Sequence, residues 1–137
     1  PAIYDSRVIT RYLDDKAGAG LYPVTSLYEI LTLEAMADAL MDITVAMTYD
    51  SRYRPDQQSP NWTEAQWGKA SRTIAAINSH CMSHLNGPIN MAQIAVSCAL
   101  SYADLRHDMR NWRYENDSLA NWQVEFEARD AMKVTKP

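Results

Sequence analysis

Near the start of the chain, "YDSR" sets an acid and a hydroxyl side by side, Asp5 and Ser6, ahead of a run with helical spacing. A serine at a helix start offers its hydroxyl together with unpaired backbone N–H groups and the positive end of the helix dipole, which suits a carboxylate. The adjacent acid can hold an ammonium. Asp and Ser are also among the commonest helix N-caps, so plain capping is the alternative reading of the pair. Glu34, Asp38 and Asp42 step by four along one helix, an acidic stripe that repels itself by roughly a few tenths of a kcal/mol per pair. Either a cation faces that stripe or solvent does. His80 and His84 stand four apart, a spacing that can bring two imidazoles to one metal. No Asp or Glu lies in the neighbouring turns to complete a ligand set, so packing or capping is the reading and no metal is expected. No G-x-S-x-G elbow is present, and Ser-His-Asp catalysis has no support.

These residues must be positioned by helices, because helical spacing covers nearly the whole chain. Glycine and proline sit at the joints: Gly18, Gly20 and Pro23, then Pro55 and Pro60, then Gly87 and Pro88. Between them Ile30, Leu33, Ala37, Leu40, Thr44 and Met47 recur at steps of three and four, as do Trp67, Ala70, Ile74, Ile77 and Cys81. Long helices are expected near 25–49 and 62–85. From Met91 to Leu105 the chain is apolar nearly all round, as in a helix surrounded by others. A shorter helix near 118–129 puts Leu119, Trp122 and Phe126 on one face after a cap at Asp117. In "INMAQI" Asn90 takes the N-cap and Gln93 the third helical position, with Ile89 and Ile94 as the ends of a hydrophobic staple. The fold class is all-α, a helical bundle.

Composition bounds the partners. The 137 residues, 47% of them apolar, suffice for one core. Against 17 acids stand 13 bases, a net charge of −4, which argues against nucleic acid or anionic lipid as a partner. Trp and Tyr could stack on bases, but stacking needs a basic groove beside it. Cys81 and Cys98 form no close metal pair and read as buried thiols of a reduced compartment. No apolar run approaches the roughly 18 residues of a membrane span, so a soluble, cytoplasmic protein is expected.

"YDSRVITRYLDD", "LYP", "LEAMADALMDITVAM", "INMAQIAVSCALSYADLR" and "SLANWQVEFEARDAMKVTKP" follow one another over nearly the whole chain. Together they resemble the glutathione S-transferase superfamily, its bacterial members most. One departure is the capping box, where that superfamily usually has Ser or Thr and Asp and this chain has Asn90 and Gln93.

The resemblance implies a division at residues 1–20, the end of the last strand and the last helix of a thioredoxin-like domain, and 21–137, an all-helical C-terminal domain. It implies glutathione as co-substrate, with Asp5 and Ser6 gripping the γ-glutamyl end, which carries both a carboxylate and an amine. It sets the catalytic Tyr, Ser or Cys ahead of Pro1, so that the chain alone is catalytically incomplete. Were the chain nonetheless to turn over by itself, suspicion would fall on Tyr49, Tyr53 and Cys98. The end of the long helix, "AMTYDSRYRPD", implies an electrophile pocket at Met47, Tyr49, Arg52 and Tyr53; aromatics and Met suit flat apolar substrates and Arg an anionic group. Ordinary packing is the plainer account of each. A homodimer is implied, with the acidic stripe meeting a partner's Arg or the glutathione amine. The functional expectation is transfer of glutathione to small electrophiles, or their reduction, in detoxification; a non-catalytic protein-interaction module on the same scaffold is the alternative.

Overall fold

The computed structural model describes residues 2–136, and among these it contains six α-helices and no strand. They are α1 (Ser6–Ala17), α2 (Leu27–Tyr53), α3 (Pro60–Ala76), α4 (Met91–His107), α5 (Asp117–Glu127) and α6 (Asp130–Val134). The strand end expected at the start is not formed, and residues 2–4 are irregular. A strand takes its hydrogen bonds from a neighbour, and no neighbour is present among the described residues.

α2 is about 40 Å long and packs most extensively on α4 and α3. Its buried face carries Ile30, Leu33, Ala37, Leu40, Thr44 and Met47, the first four of which share one core cluster with Ala92, Val96, Ala99, Leu100 and Ala103 of α4. Small residues on α4 allow the close approach; Thr44 bonds back to the Leu40 carbonyl at 2.9 Å, so its hydroxyl is satisfied inside the core. α4 is not enclosed on every side, however, since Cys98 and Leu105 are exposed.

The start of α4 is tied down by polar contacts. Asn90 Oδ1 accepts the Gln93 N–H at 3.1 Å, and the Met91 N–H donates to the Leu21 carbonyl at 3.0 Å. Gln93 Nε2 donates to the Pro88 carbonyl at 3.3 Å, bracing the preceding turn.

α3 begins with Pro60 after a Ser59 cap, but regular α geometry ends at Ala76 and not near 85. A π-turn, Ile77–Cys81, and a 3-10 turn, Met82–His84, follow. The change of winding breaks the register between His80 and His84; His80 is exposed and His84 half-buried. Asp117 is the first residue of α5 and not its cap. The Leu119 N–H finds its acceptor in Asn78 Oδ1, 3.0 Å away near the end of α3, a tertiary cap that local sequence cannot display.

Candidate functional site

At the start of α1, Asp5 occupies the N-cap position, yet its carboxylate makes no capping hydrogen bond. Its backbone carbonyl accepts from Val8 and Ile9 N–H at 3.1 and 3.0 Å. The Ser6 hydroxyl is exposed and has no hydrogen bond among the described residues. Plain capping is therefore not what this pair does. Asp5 and Ser6 are both exposed, and the N–H groups of Ser6 and Arg7, at the first two helical positions, have no acceptor within the helix.

The far side of α1 is polar and docks on α2 and on the Leu21–Tyr22 segment that precedes it. Arg7, Thr10 and Asp14 share one face. Arg7 Nε lies 3.3 Å from Asp38 Oδ2, an ion pair without hydrogen-bond alignment, and its terminal nitrogen lies 3.9 Å from Asp5 Oδ2. Thr10 Oγ1 is 2.8 Å from the Tyr22 hydroxyl, which donates to Glu34 Oε1 at 2.7 Å. Asp14 is buried at the C-terminal end of α1, where its carboxylate accepts the Leu21 and Tyr22 N–H groups at 2.8 and 3.3 Å. Gly18 turns the chain there in the left-handed region, φ 62°, and its N–H bonds the Asp14 carbonyl, a conformation in which a Cβ is strained.

Within this chain the acidic stripe is met in part by its own side chains: Arg7 pairs with Asp38, Glu34 is only 3% exposed, and Asp42 is exposed. Burial pushes the Glu34 carboxyl up, the Tyr22 hydrogen bond pulls it back, and Asp38 adds to the rise. Burial likewise raises Asp38, with Arg7 opposing, and pushes the Tyr22 hydroxyl up to about 12. Glu34 Oε2 is buried without a hydrogen-bond partner.

The same face of α2 continues from Asp38 to Met41, about 4.5 Å further along the axis, into a cleft of about 830 Å³. Met41, Leu105, Val124 and Met132 give it apolar walls, and Cys98 opens into it. That thiol is exposed to the cleft, contrary to the expectation of a buried one, while the surrounding walls desolvate it enough to raise its pKa. Cys81 is half-buried. Beneath the cleft, buried Gln123 donates to the Ser97 carbonyl, Ser101 Oγ and Glu127 Oε1 at 3.2, 3.0 and 3.0 Å. Arg113 grips Asp104 with both nitrogens, and the Trp112 indole N–H donates to the same carboxylate at 2.7 Å.

Tyr49, Arg52 and Tyr53 are exposed on the continuation of this α2 face, the two rings edge to face with centroids 5.6 Å apart and Arg52 over Tyr53. Met47 is turned to the opposite side and is 5% exposed in the core. The structure therefore aligns three of the four residues and separates the fourth. No group of three metal-binding side chains occurs among the described residues, and no helix there is long and apolar enough to cross a membrane.

Thr10, Asp14, Tyr22 and Gln123 escaped the sequence reading. Asp14 had a legible signal, since an acid in the last turn of a helix opposes the dipole and calls for a tertiary reason. Glu34 had another, falling four residues after Ile30 on the buried stripe.

Comparison with known proteins gives concordant results. The family model described as "Glutathione S-transferase, C-terminal domain" matches residues 60–122. A glutathione transferase family member from Pseudomonas fluorescens Pf-5, solved with bound S-(propanoic acid)-glutathione, is 36% identical at a TM-score of 0.94, covering 98% of this chain and 71% of that one. A glutathione S-transferase from Methylobacillus flagellatus KT with glutathione bound is 30% identical at a TM-score of 0.88, over 98% and 70%. The GST-like protein YibF of Escherichia coli K12 is 25% identical, over 98% of this chain and 69% of its own length.

Proposed function

This chain belongs to the glutathione S-transferase family, and we propose that Asp5 and Ser6 hold the γ-glutamyl end of glutathione while the cleft beside Met41 receives a small electrophile. The observation that carries this reading is the start of α1, where neither the Ser6 hydroxyl nor the Asp5 carboxylate makes a hydrogen bond among the described residues. A hydroxyl, free N–H groups and a carboxylate stand open together, matching a ligand that brings a carboxylate and an ammonium on one carbon. The Ser6 O–H and the first-turn N–H groups donate to the carboxylate; the ammonium donates to Asp5. Because Asp38 and Met41 lie on one face of α2, a tripeptide gripped beside Arg7 has its sulfur within reach of the cleft. That sulfur attacks the electrophilic carbon, a C–S bond forms, and the leaving group departs with the bonding electrons. Tyr49, Arg52 and Tyr53 form the outer wall of the acceptor region on this reading.

The relatives support it, one carrying a glutathione adduct and another glutathione itself. The division at residues 1–20 and 21–137 is retained as part of the proposal. This reading requires a group that stabilises the thiolate, since without one the thiol stays mostly protonated near neutral pH. A cytoplasmic homodimer acting in detoxification completes the proposal. The test is Ser6→Ala in the intact protein, followed by calorimetry with glutathione. Affinity should fall by about 1–3 kcal/mol, the range for a hydrogen bond to a charged group, and an unchanged affinity overturns the clamp.

A further inference from the structure

We propose that Asp38 determines specificity for the ligand's amine: by holding the Arg7 guanidinium it keeps the Asp5 carboxylate free to take an ammonium. The inference rests on reading Asp5–Ser6 as the glutathione clamp. Arg7 follows that pair directly and lies between two acids, 3.3 Å from Asp38 and 3.9 Å from Asp5. The nearer acid is also the more enclosed, with 34% of its side chain exposed against 66% for Asp5. Attraction between charges strengthens as water is excluded, so Asp38 is the stronger claimant on the guanidinium. The other acids on that face are farther off: neither Glu34, whose carboxyl feels the Arg7 charge but bonds Tyr22, nor Asp42 forms an ion pair with Arg7 among the described residues.

With Asp38 neutralised, Asp5 becomes the carboxylate that Arg7 already approaches, and a modest side-chain rotation closes the remaining gap. An incoming ammonium then has to displace an intramolecular cation, held at high effective concentration. The Ser6 hydroxyl and the first-turn N–H groups are untouched by this change. The effect is therefore confined to the amine and does not reach the ligand's carboxylate.

The experiment measures binding to the intact protein by calorimetry with two probes: glutathione, and deamino-glutathione, in which a glutaryl group replaces the γ-glutamyl group. Asp38→Asn should weaken glutathione about tenfold, the effect of impairing one charged contact, and leave deamino-glutathione within about twofold. Adding Arg7→Gln to Asp38→Asn should return glutathione to within about threefold of the unaltered protein, because the competing cation is gone. Retained binding of the deamino probe shows that the variants fold. An equal loss for both probes, or a double variant no better than Asp38→Asn alone, overturns the proposal. Ser6→Ala distinguishes this from failure of the clamp itself: if it weakens both probes the clamp stands whatever Asp38 does, and if it weakens neither the clamp and this inference fall together.

Discussion

Replacing Asp14 by alanine tests how α1 is fastened. The Asp14 carboxylate is 8% exposed and accepts two backbone N–H groups, from Leu21 at 2.8 Å and from Tyr22 at 3.3 Å. Tyr22 is buried, so its N–H would be left without an acceptor, at about 2 kcal/mol. Leu21 is half-buried and water can replace part of its loss, leaving about 1 kcal/mol there. The sum is about 3 kcal/mol, and at about 2.1 cal/mol/K of unfolding entropy per residue it lowers the midpoint by about 10 °C. Asn keeps one acceptor oxygen and should fall by about half as much. The assay is thermal unfolding followed by circular dichroism at neutral pH. A midpoint within about 2 °C of the unaltered protein for Asp14→Ala would refute the account, since the two N–H groups would then have found other acceptors.

Two further substitutions probe the helices that support the site. Asn90→Ala removes the side-chain acceptor for the Gln93 N–H and should cost about 1 kcal/mol, read as a lower urea midpoint with an unchanged slope. Glu34 has a folded-state pKa above its unfolded one, so the folded state binds the proton more tightly. Stability from this group is full below the unfolded value near 4.5 and declines as pH rises through the raised folded value. Glu34→Gln should remove that decline while keeping an acceptor for Tyr22, and urea titrations across the mildly acidic range give the comparison. A decline of the same size in the variant contradicts the assignment.

The helices and the core were legible because they rest on periodicity. Ile30, Leu33, Ala37, Leu40 and Thr44 of α2 and Val96, Ala99 and Leu100 of α4 recur at helical steps and are buried. What escaped depends on contacts between segments distant in sequence. Asn78 caps α5 across 41 positions, and His107 bonds the Thr44 carbonyl across 63. The break after Ala76 was hidden for another reason: the apolar spacing runs on through Ile77 and Cys81, and periodicity alone does not register one extra residue in a turn. The exposure of Cys98 was misread because a cysteine among Val96, Ala99 and Leu100 looks like a fourth core residue. The packing of α2 and α5 against α4 decides which of its sides stays open. The candidate site itself was half legible. Asp5 and Ser6 stand out as a pair, whereas the α2 residues that face their helix read only as an acidic stripe awaiting a cation.

That cation lies on α1, and its position explains an inversion in how this helix is docked. α1 turns Arg7, Thr10 and Asp14 toward the bundle and leaves Val8, Ile9, Tyr12 and Leu13 between 38% and 54% exposed. Apolar contacts are non-directional and permit a helix to slide or rotate at small cost. Hydrogen bonds and ion pairs weaken steeply with angle and distance. Arg7 and Thr10 meet Asp38 and Glu34 of α2, and Asp14 ties the last turn of α1 to the Leu21–Tyr22 segment that leads into α2, so polar contacts from the first turn to the last limit both rotation and axial shift of α1. Because the proposed clamp occupies the first turn of α1 and the cleft begins one turn beyond Asp38, the polar docking sets the distance between them. An apolar interface of the same area would hold α1 as firmly but would not fix where Ser6 lies relative to Met41.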